Sequence, residues 1–382
     1  MNLIRQFGIY SVIGTIALMS LLILPAMIGM LVDETNLTES QAGLSASIYF
    51  MGGAVVAILM ALRMHRLDLR RVATIALVLA ALSDLASGFI ANQTASFMVA
   101  RFVAGVGTWA AYTATLGAFA RLPDADRGYA MFVTLQFSIS GLGLYLLPVY
   151  SSVLGVSGIF MVLATLDLTG AWLSSCLPGR AVDGDSEPRG QNEIHVLLAG
   201  ATILGALGFA IFEAANTAQF TYVERLGVAL EFTDQQVGTA LLIASLVGIP
   251  GAFSIMFLGD RLGRAAPLSF GISVGVGGLF VLMESNQFNL YLLGLSMISF
   301  SWAFCLPYIQ GLLASLDRNG SAVAAGSATG TIGGAIGPGV AALVVGGGNY
   351  TGVFMFSSAL LLVALMSLIG AIRYVHKPMG AA

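Results

Sequence analysis

Five ionisable or strongly polar side chains interrupt stretches of this chain that are otherwise apolar: Asp84, Arg101, Asp167, Glu213 and Asn216. A charge in such a stretch is costly unless it has a partner or a function, because apolar surroundings solvate it poorly. A carboxyl group there can bind and release a proton, and a guanidinium can hold an anion or form a fixed ion pair. These residues therefore suggest the handling of protons or solutes within an apolar core.

Glu213 is the first candidate for this chemistry. Glu213, Asn216, Thr217 and Phe220 are spaced so that they share one face of a helix. Burial favours the neutral form of a carboxyl group, which would let Glu213 carry a proton through a reaction cycle or contact a solute. The alternative is a neutral or hydrogen-bonded glutamate that only joins two helices.

Arg101 begins a second face, which continues through Gly105, Trp109 and Tyr112. A cation and two aromatic rings along one line could hold an anionic or aromatic solute. The alternative is a fixed ion pair between Arg101 and Asp84 that ties two neighbouring helices together.

The composition places these residues in a membrane protein. The chain is 57% apolar and only 9% charged, whereas soluble domains carry about 25% charged residues. So few charges cannot cover a globule of this size in water. Cys176 and Cys305 each lie in an apolar stretch, which argues against a disulfide framework.

Apolar stretches of about 20 residues can cross a bilayer as helices. The sequence predicts twelve of them, at 7–32, 42–62, 73–93, 96–119, 128–151, 155–177, 196–222, 236–258, 266–283, 288–314, 321–346 and 351–373. The polar segment between the sixth and seventh is predicted to be a cytoplasmic linker, residues 179–194. It would separate an N-terminal half, 1–178, from a C-terminal half, 195–382.

Charge placement predicts the orientation. Most of the 16 Lys and Arg residues fall on one side of the predicted spans: Arg5, Arg63, Arg66, Arg70, Arg71, Arg121, Arg127, Arg180, Arg189, Arg261, Arg264, Arg318, Arg373 and Lys377. Arg225 is the exception, in a predicted loop on the opposite side that also carries Glu224. Because basic residues favour the cytoplasmic side, both termini are predicted to be cytoplasmic. We expect a multi-pass protein of the plasma (inner) membrane.

A short phrase of the chain occurs twice. Thr38–Gly43, TESQAG, returns as Thr233–Gly238, TDQQVG, and His65-Arg66-Leu67 returns at the same offset as Asp260-Arg261-Leu262. A constant offset across apolar sequence indicates that the two halves arose by duplication. In a membrane protein, such halves suggest transport by movement of one half against the other.

The loop Gly259-Asp260-Arg261-Leu262-Gly263-Arg264 resembles the loop signature of the major facilitator superfamily, without its first Gly and last Arg. Arg101, Gly105 and Gly107 are similar to that family's second signature. The resemblance covers the whole chain. It implies an all-α membrane protein with twelve transmembrane helices in two pseudo-symmetric six-helix bundles. It also implies a conformational latch, or alternatively a simple topology anchor, formed by Gly259, Asp260, Arg261, Gly263, Arg264, His65 and Arg66.

The resemblance also implies roles for the polar residues within the spans. In the family a central cavity is lined by the first, fourth, seventh and tenth spans. We therefore expect proton-coupling or substrate-cavity roles for Glu213, Arg101, Asn216, Trp109, Tyr112, Trp302 and Tyr308, and a similar role for Gln136 of the fifth span. Packing is the alternative for the aromatic residues. Asp84 and Asp167 lie on helices with a supporting role in the family, so both are expected to be structural.

The function expected from these features is secondary active transport of a small organic solute by alternating access, coupled to protons. One alternative is a proton-driven efflux antiporter for drugs or metabolites, and another is a passive channel or a non-transporting receptor. The chain has no Walker loop and only three histidines, so we expect no cofactor, no metal site and no enzyme activity. We expect a monomer in the bilayer that binds no nucleic acid.

Overall fold

The computed structural model describes residues 3–61, 67–119, 122, 125–179, 200–258, 263–316 and 321–375. Within these residues the regular secondary structure is entirely helical. The predicted linker, apart from Gly179, lies outside the described residues, as do His65, Arg66, Gly259, Asp260 and Arg261 of the predicted latch.

The α-helices in chain order are α1 (Leu3–Ala17), α2 (Met19–Leu22), α3 (Leu24–Glu34), α4 (Glu39–Ala61), α5 (Leu69–Ile90), α6 (Thr94–Phe119), α7 (Ala125–Leu173), α8 (Gly200–Ala229), α9 (Asp234–Leu258), α10 (Ala265–Met283), α11 (Phe288–Leu316), α12 (Ser321–Val344) and α13 (Tyr350–Val375). A short 3₁₀ helix, Ser174–Cys176, follows α7.

The helices differ from the predicted spans in two places. The first predicted span is one path broken into α1, α2 and α3, with non-helical backbone at Leu18 and Ile23. Pro25 near the start of α3 suits that break, because proline lacks the N–H that a helix interior would need. The fifth and sixth predicted spans run together as α7, which bends sharply at Gly155, where φ is +61°. Glycine has no Cβ and adopts this conformation without steric cost.

Within the described residues, nine helices are long and apolar enough to cross a membrane by length and composition. In that count α7 is a single span, although Gly155 divides it. The broken α1–α3 path and α6, which carries Arg101, are not among the nine.

The repeated phrase has a structural reason. In the first copy, the Thr38 hydroxyl accepts a hydrogen bond from the Gln41 N–H at 3.2 Å, and the Gln41 side chain accepts one from the Thr38 N–H at 3.0 Å. Thr233 and Gln236 repeat the same exchange at 3.3 and 3.0 Å. This reciprocal arrangement is a capping box, which satisfies N–H groups that the first helical turn leaves unpaired. The phrase therefore begins α4 and α9 in the same way.

Helix packing follows the same repeat. In the first half of the chain α4 and α5 pack on α6, and α1 and α5 pack on α7. In the second half α9 and α10 pack on α11, and α8 and α10 pack on α13. The two groups meet along a seam, where α4 packs on α12, α7 on α9, and α3 on α8.

The seam is closed near one end of the helices. We call the end that holds Glu34, Glu39 and Ala229 the distal end, and the opposite end the proximal end. The Ser47 hydroxyl of α4 donates to the Ala335 carbonyl of α12, and the Tyr222 hydroxyl of α8 donates to the Glu39 carbonyl at 3.2 Å. Both contacts lie in the distal half of their helices, so they hold the two groups together there.

Glycines of α12 allow it to approach α8 closely. A Cβ at Gly333 or Gly337 would overlap the carbonyl oxygens of Ala210 and Ala214 respectively, and one at Gly330 would overlap the Phe209 ring. Small residues spaced in this way let helix backbones pack tightly in a membrane.

Gly333→Ala is therefore expected to destabilise the fold by about 1–3 kcal/mol, because the added methyl group forces the α8 backbone to move. The matched control is Gly311→Ala in α11, where a Cβ would have no neighbour within 4 Å. That change should be neutral, or stabilising by up to about 1 kcal/mol through helix propensity. Thermal unfolding of both variants in detergent measures the difference, and equal midpoints would contradict it.

Candidate functional site

The structure brings Glu213 and Trp302 together. Trp302 on α11 donates its indole N–H to the Glu213 carboxyl oxygen Oε1 on α8 at 3.3 Å, and both residues are half-buried. The two side chains are 89 residues apart in sequence. This contact joins two of the predicted cavity residues.

The same pair lies at the seam between the two helix groups. The Trp302 ring meets the Phe137 ring of α7 edge-on, with centroids 6.2 Å apart. A Cβ at Gly248 of α9 would overlap the Phe137 ring, so Phe137 is wedged between α9 and α11. Glu213 is thus one aromatic side chain away from the opposite group of helices.

The indole N–H leaves the protonation state of Glu213 free to change. Within the described part of the chain, no basic side chain forms an ion pair with Glu213. A nearby arginine would hold Glu213 in its ionised form, whereas a neutral donor can bond to the carboxyl in either form. The geometry therefore suits a group that gains and loses a proton.

The polar residues next to Glu213 are bonded mainly within α8. The Thr217 hydroxyl donates to the Glu213 carbonyl and the Asn216 amide to the Phe212 carbonyl, each at 2.8 Å. Gln219 donates to the Asn216 side-chain oxygen, also at 2.8 Å. Asn216 is buried, and its amide group lies on the helix in this conformer.

Arg101 lies in a second cluster, buried among α4, α5, α6 and α7. Its guanidinium is 2.5 Å from the Asp84 carboxylate, and both residues are 1% exposed. It also lies over the rings of Tyr49 and Phe160, at 5.0 and 5.2 Å from their centroids. The Asp167 carboxyl, likewise buried, interacts electrostatically with both Asp84 and Arg101. The structure thus places Arg101 in the ion pair that the sequence left open as an alternative.

Trp109 and Tyr112 form a separate aromatic group further along α6. Their rings meet edge-on at 5.6 Å, and Trp109 also contacts the Phe50 ring at 6.2 Å. Both residues are half-buried. The Trp109 indole nitrogen is buried beside Gly53 of α4 and has no hydrogen-bond partner among the described residues.

The remaining cavity candidates occupy different environments. Gln136 is half-buried on α7. Tyr308 is 1% exposed on α11, with its ring 5.3 Å from that of Phe304, and so belongs to the hydrophobic core. The structure therefore brings Glu213 and Trp302 together at the seam and separates them from Arg101 and Tyr308.

A third cluster, at the distal end, was missed by the sequence reasoning. Arg225 on α8 donates to the Asp33 carboxylate at 2.8 Å and to the Gly29 carbonyl at 3.2 Å, and so crosses the seam to α3. Next to it, the Glu224 carboxyl lies where a Cβ at Gly29 would be. The predicted seventh span ended at residue 222 and left Glu224 and Arg225 in a loop, whereas α8 continues to Ala229. One signal of this cluster was present in the sequence: Arg225 is a basic residue on the side opposite to most of the other Lys and Arg residues.

Tyrosine hydroxyls complete the distal cluster. Tyr350 donates to the Glu39 carboxylate, and Tyr291 donates to the Val223 carbonyl at 2.8 Å. With Tyr222, these bonds tie α4, α8, α11 and α13 together at the distal end. We call Asp33, Glu39, Tyr222, Glu224, Arg225 and Tyr350 the distal gate.

Two residues of the predicted latch lie among the described residues. Gly263 has a φ of +63°, which suits glycine at the turn before α10. Arg264 donates to the Ser315 hydroxyl at the end of α11. The latch itself stays a prediction.

Comparison with known proteins gives one family and a common fold. The Major Facilitator Superfamily model matches residues 9–338. A variant of the nucleoside transporter NupG has a TM-score of 0.82 at 11% identity, covering 97% of this chain and 100% of that one. A D-xylose-proton symporter has a TM-score of 0.73 at 15% identity, covering 98% and 97%. The human organic anion transporter MFSD10 has a TM-score of 0.70 at 16% identity, covering 96% and 100%. No curated protein sequence matches the chain.

Proposed function

Because this chain belongs to the Major Facilitator Superfamily, we propose that it carries a small organic solute across a membrane by alternating access, driven by a proton gradient. The protein is a multi-pass membrane transporter and not an enzyme. The solute, the coupling ion and the mechanism are the proposed parts.

The proposed architecture is twelve transmembrane helices in two six-helix bundles. The path α1–α3 forms the first span, and Gly155 divides α7 into two, so the helices supply six spans before the linker and six after it. The matching contact patterns of the two groups support a division into halves 1–178 and 195–382. The excess of basic residues at the proximal end favours a cytoplasmic location for that end and for both termini, with the distal end outside.

Proton coupling rests on one observation above all: the position of Glu213 at the seam with a neutral indole donor. A proton on Glu213 removes a charge that an apolar seam solvates poorly, whereas the carboxylate requires water. Water reaches the seam from whichever end is open. Glu213 would therefore exchange its proton with one side at a time, which couples proton movement to the movement of the halves.

The closed distal gate supports alternating access. Arg225, Tyr222 and Ser47 bond across the seam in its distal half, so this conformer is closed toward the outside. Transport requires that these bonds break while the proximal ends of the bundles approach each other. Rocking of two repeated bundles about a site near the middle of the membrane would achieve this.

The solute is proposed from the residues around the seam. Trp302 and Phe137 offer aromatic faces at the seam, and the Glu213 carboxyl offers a polar group beside them. Such a surface suits a small organic molecule with a ring or an apolar face and polar edges. The structural neighbours are transporters of nucleosides, D-xylose and organic anions, and these solutes form the first panel to test.

Counterflow in proteoliposomes tests the proposal. Vesicles loaded with one unlabelled solute of the panel receive a trace of the same solute in labelled form. A carrier gives a transient accumulation of label, because the excess of unlabelled solute inside competes with the label for binding and slows its exit. We expect this transient for at least one panel solute, and no transient in solute-loaded vesicles that lack the protein. Rapid equilibration of label without the transient would contradict a carrier and favour a channel, and binding without flux would favour a receptor.

A further inference from the structure

Two carboxyl groups and one guanidinium meet where the distal gate crosses the seam. Arg225 is satisfied mainly by Asp33, at 2.8 Å, although the Asp33 side chain is 54% exposed. Glu224 is 5% exposed, and its Oε2 atom lies 4.0 Å from Arg225 Nε. Among the described residues, neither of these two atoms has a hydrogen-bond partner. The ion pair across the seam therefore leaves the Oε2 atom of Glu224 without a hydrogen-bond partner among the described residues.

The surroundings of Glu224 make its ionised form costly. Other acids and hydroxyls face the cluster from the elements packed around it: Asp33, Glu39, Asp234, Tyr222, Tyr291 and Tyr350, with Arg225 the cation. A buried carboxylate among acids and a single shared arginine is poorly compensated. A proton on Glu224 removes the excess negative charge and supplies an O–H donor.

In the closed gate, Glu224 is buried against the opposite group of helices. Its carboxyl rests against Gly29 of α3, on the opposite side of the seam, where a Cβ would overlap both carboxyl oxygens. If α3 and α8 separate, Arg225 loses the Gly29 carbonyl and Asp33, and water reaches Glu224. Water solvates a carboxylate well, so the open gate has less need of the proton. The closed gate therefore binds the proton more tightly than the open gate.

We propose that Glu224 is a proton-binding site of the distal gate, separate from Glu213, and that proton binding there closes the gate. A ligand that binds one conformer more tightly shifts the equilibrium toward that conformer. The proposal rests on the alternating access proposed above. It adds an order to the cycle: a proton taken up from the outside neutralises Glu224 as the gate closes.

The test measures the distance across the distal gate as pH changes. Spin labels are placed at Asn36→Cys and Gly346→Cys, both exposed at the distal end, after Cys176 and Cys305 are replaced by alanine. Pulsed electron paramagnetic resonance in nanodiscs then gives the populations of short and long distances between the two labels. With Glu224 intact, we expect the ratio of closed to open gate to fall about tenfold or more from acidic to alkaline pH. Glu224→Gln imitates the protonated acid and should keep the gate closed throughout.

One further variant keeps the test decisive. Glu34→Gln removes an exposed acid at the same end, and its gate should respond to pH like that of the parent. A Glu224→Gln gate that opens with pH like the parent, or a parent gate indifferent to pH, would each overturn the proposal.

The proton site at Glu224 and the proposed carrier function can fail independently, and two measurements distinguish the cases. Counterflow by the parent protein tests the carrier without reference to the gate. If counterflow is present but Glu224→Gln leaves the gate response unchanged, the carrier stands and the proton site at Glu224 is wrong. If the gate responds to pH but no panel solute shows counterflow, the gate site stands without the proposed transport.

Discussion

Glu213→Gln is expected to abolish uphill accumulation of the transported solute while leaving counterflow intact. One pH unit is worth about 1.4 kcal/mol per proton, which supports about a tenfold solute gradient if one proton moves with each solute. Glutamine keeps the size of the side chain and an oxygen for the Trp302 N–H, but it cannot bind the proton. The variant should therefore reach a ratio of about one where the parent reaches about ten. Labelled solute uptake into proteoliposomes with an imposed pH gradient measures both ratios.

The control for this prediction is Glu284→Gln, which removes an exposed acid at the end of α10. It should accumulate solute as the parent does. If Glu213→Gln accumulated solute against its gradient as well as this control, the proton would have to move through another group. Counterflow by both variants confirms that each is folded and can still carry solute.

Asp84→Ala is expected to give the largest loss of stability in the molecule. It leaves the Arg101 guanidinium, 1% exposed, without its ion-pair partner in the middle of the helices. Removal of one member of a buried ion pair costs about 3–5 kcal/mol. We expect the variant to unfold at a much lower temperature than the parent in detergent, or to fail to accumulate in the membrane.

Two variants separate the lost charge partner from the lost volume. Asp84→Leu combined with Arg101→Met removes both charges and retains apolar bulk, so it should recover much of the stability. Asp167→Asn keeps the size of the side chain and removes the second negative charge near Asp84, so it should unfold close to the parent. A stable Asp84→Ala protein would show that the ion pair does not hold these helices together. Arg101 would then become a candidate for binding solute.

Much of the architecture could be predicted from local pattern. The repeated capping boxes at Thr38 and Thr233 are complete within four residues, so a sequence phrase is enough to find both helix starts. The bend at Gly155 falls at the predicted boundary between two apolar spans, because glycine is where a chain can turn between helices most easily. Apolar length predicts a membrane helix from composition alone.

The distal gate could not be predicted in this way. Glu224 and Arg225 end an apolar stretch when only the sequence is considered, so the predicted span stopped at residue 222. In the structure α8 continues, because Arg225 is compensated by Asp33 and Gly29 from a helix almost 200 residues earlier in the chain. Compensation of that kind depends on tertiary packing, which the hydropathy of the sequence does not report.

The partners of the buried charges were undetermined for the same reason. Sequence spacing places Arg101 on a helix face with Trp109 and Tyr112, but it does not fix how far α6 is rotated toward α5. That rotation decides between the aromatic face and Asp84, and the structure has Arg101 paired with Asp84. Glu213 and Trp302 are on different helices, so their contact follows from packing and from neither helix alone.

Proton movement driven by solute is the most direct test of proton-coupled transport by this protein. Proteoliposomes that contain the protein and a pH-sensitive dye are given each panel solute in turn, without an imposed pH gradient. We expect that a solute showing counterflow also changes the internal pH, and that Glu213→Gln loses the pH change while it keeps counterflow. Counterflow of that solute by the parent with no change in internal pH would contradict proton-coupled transport by this protein.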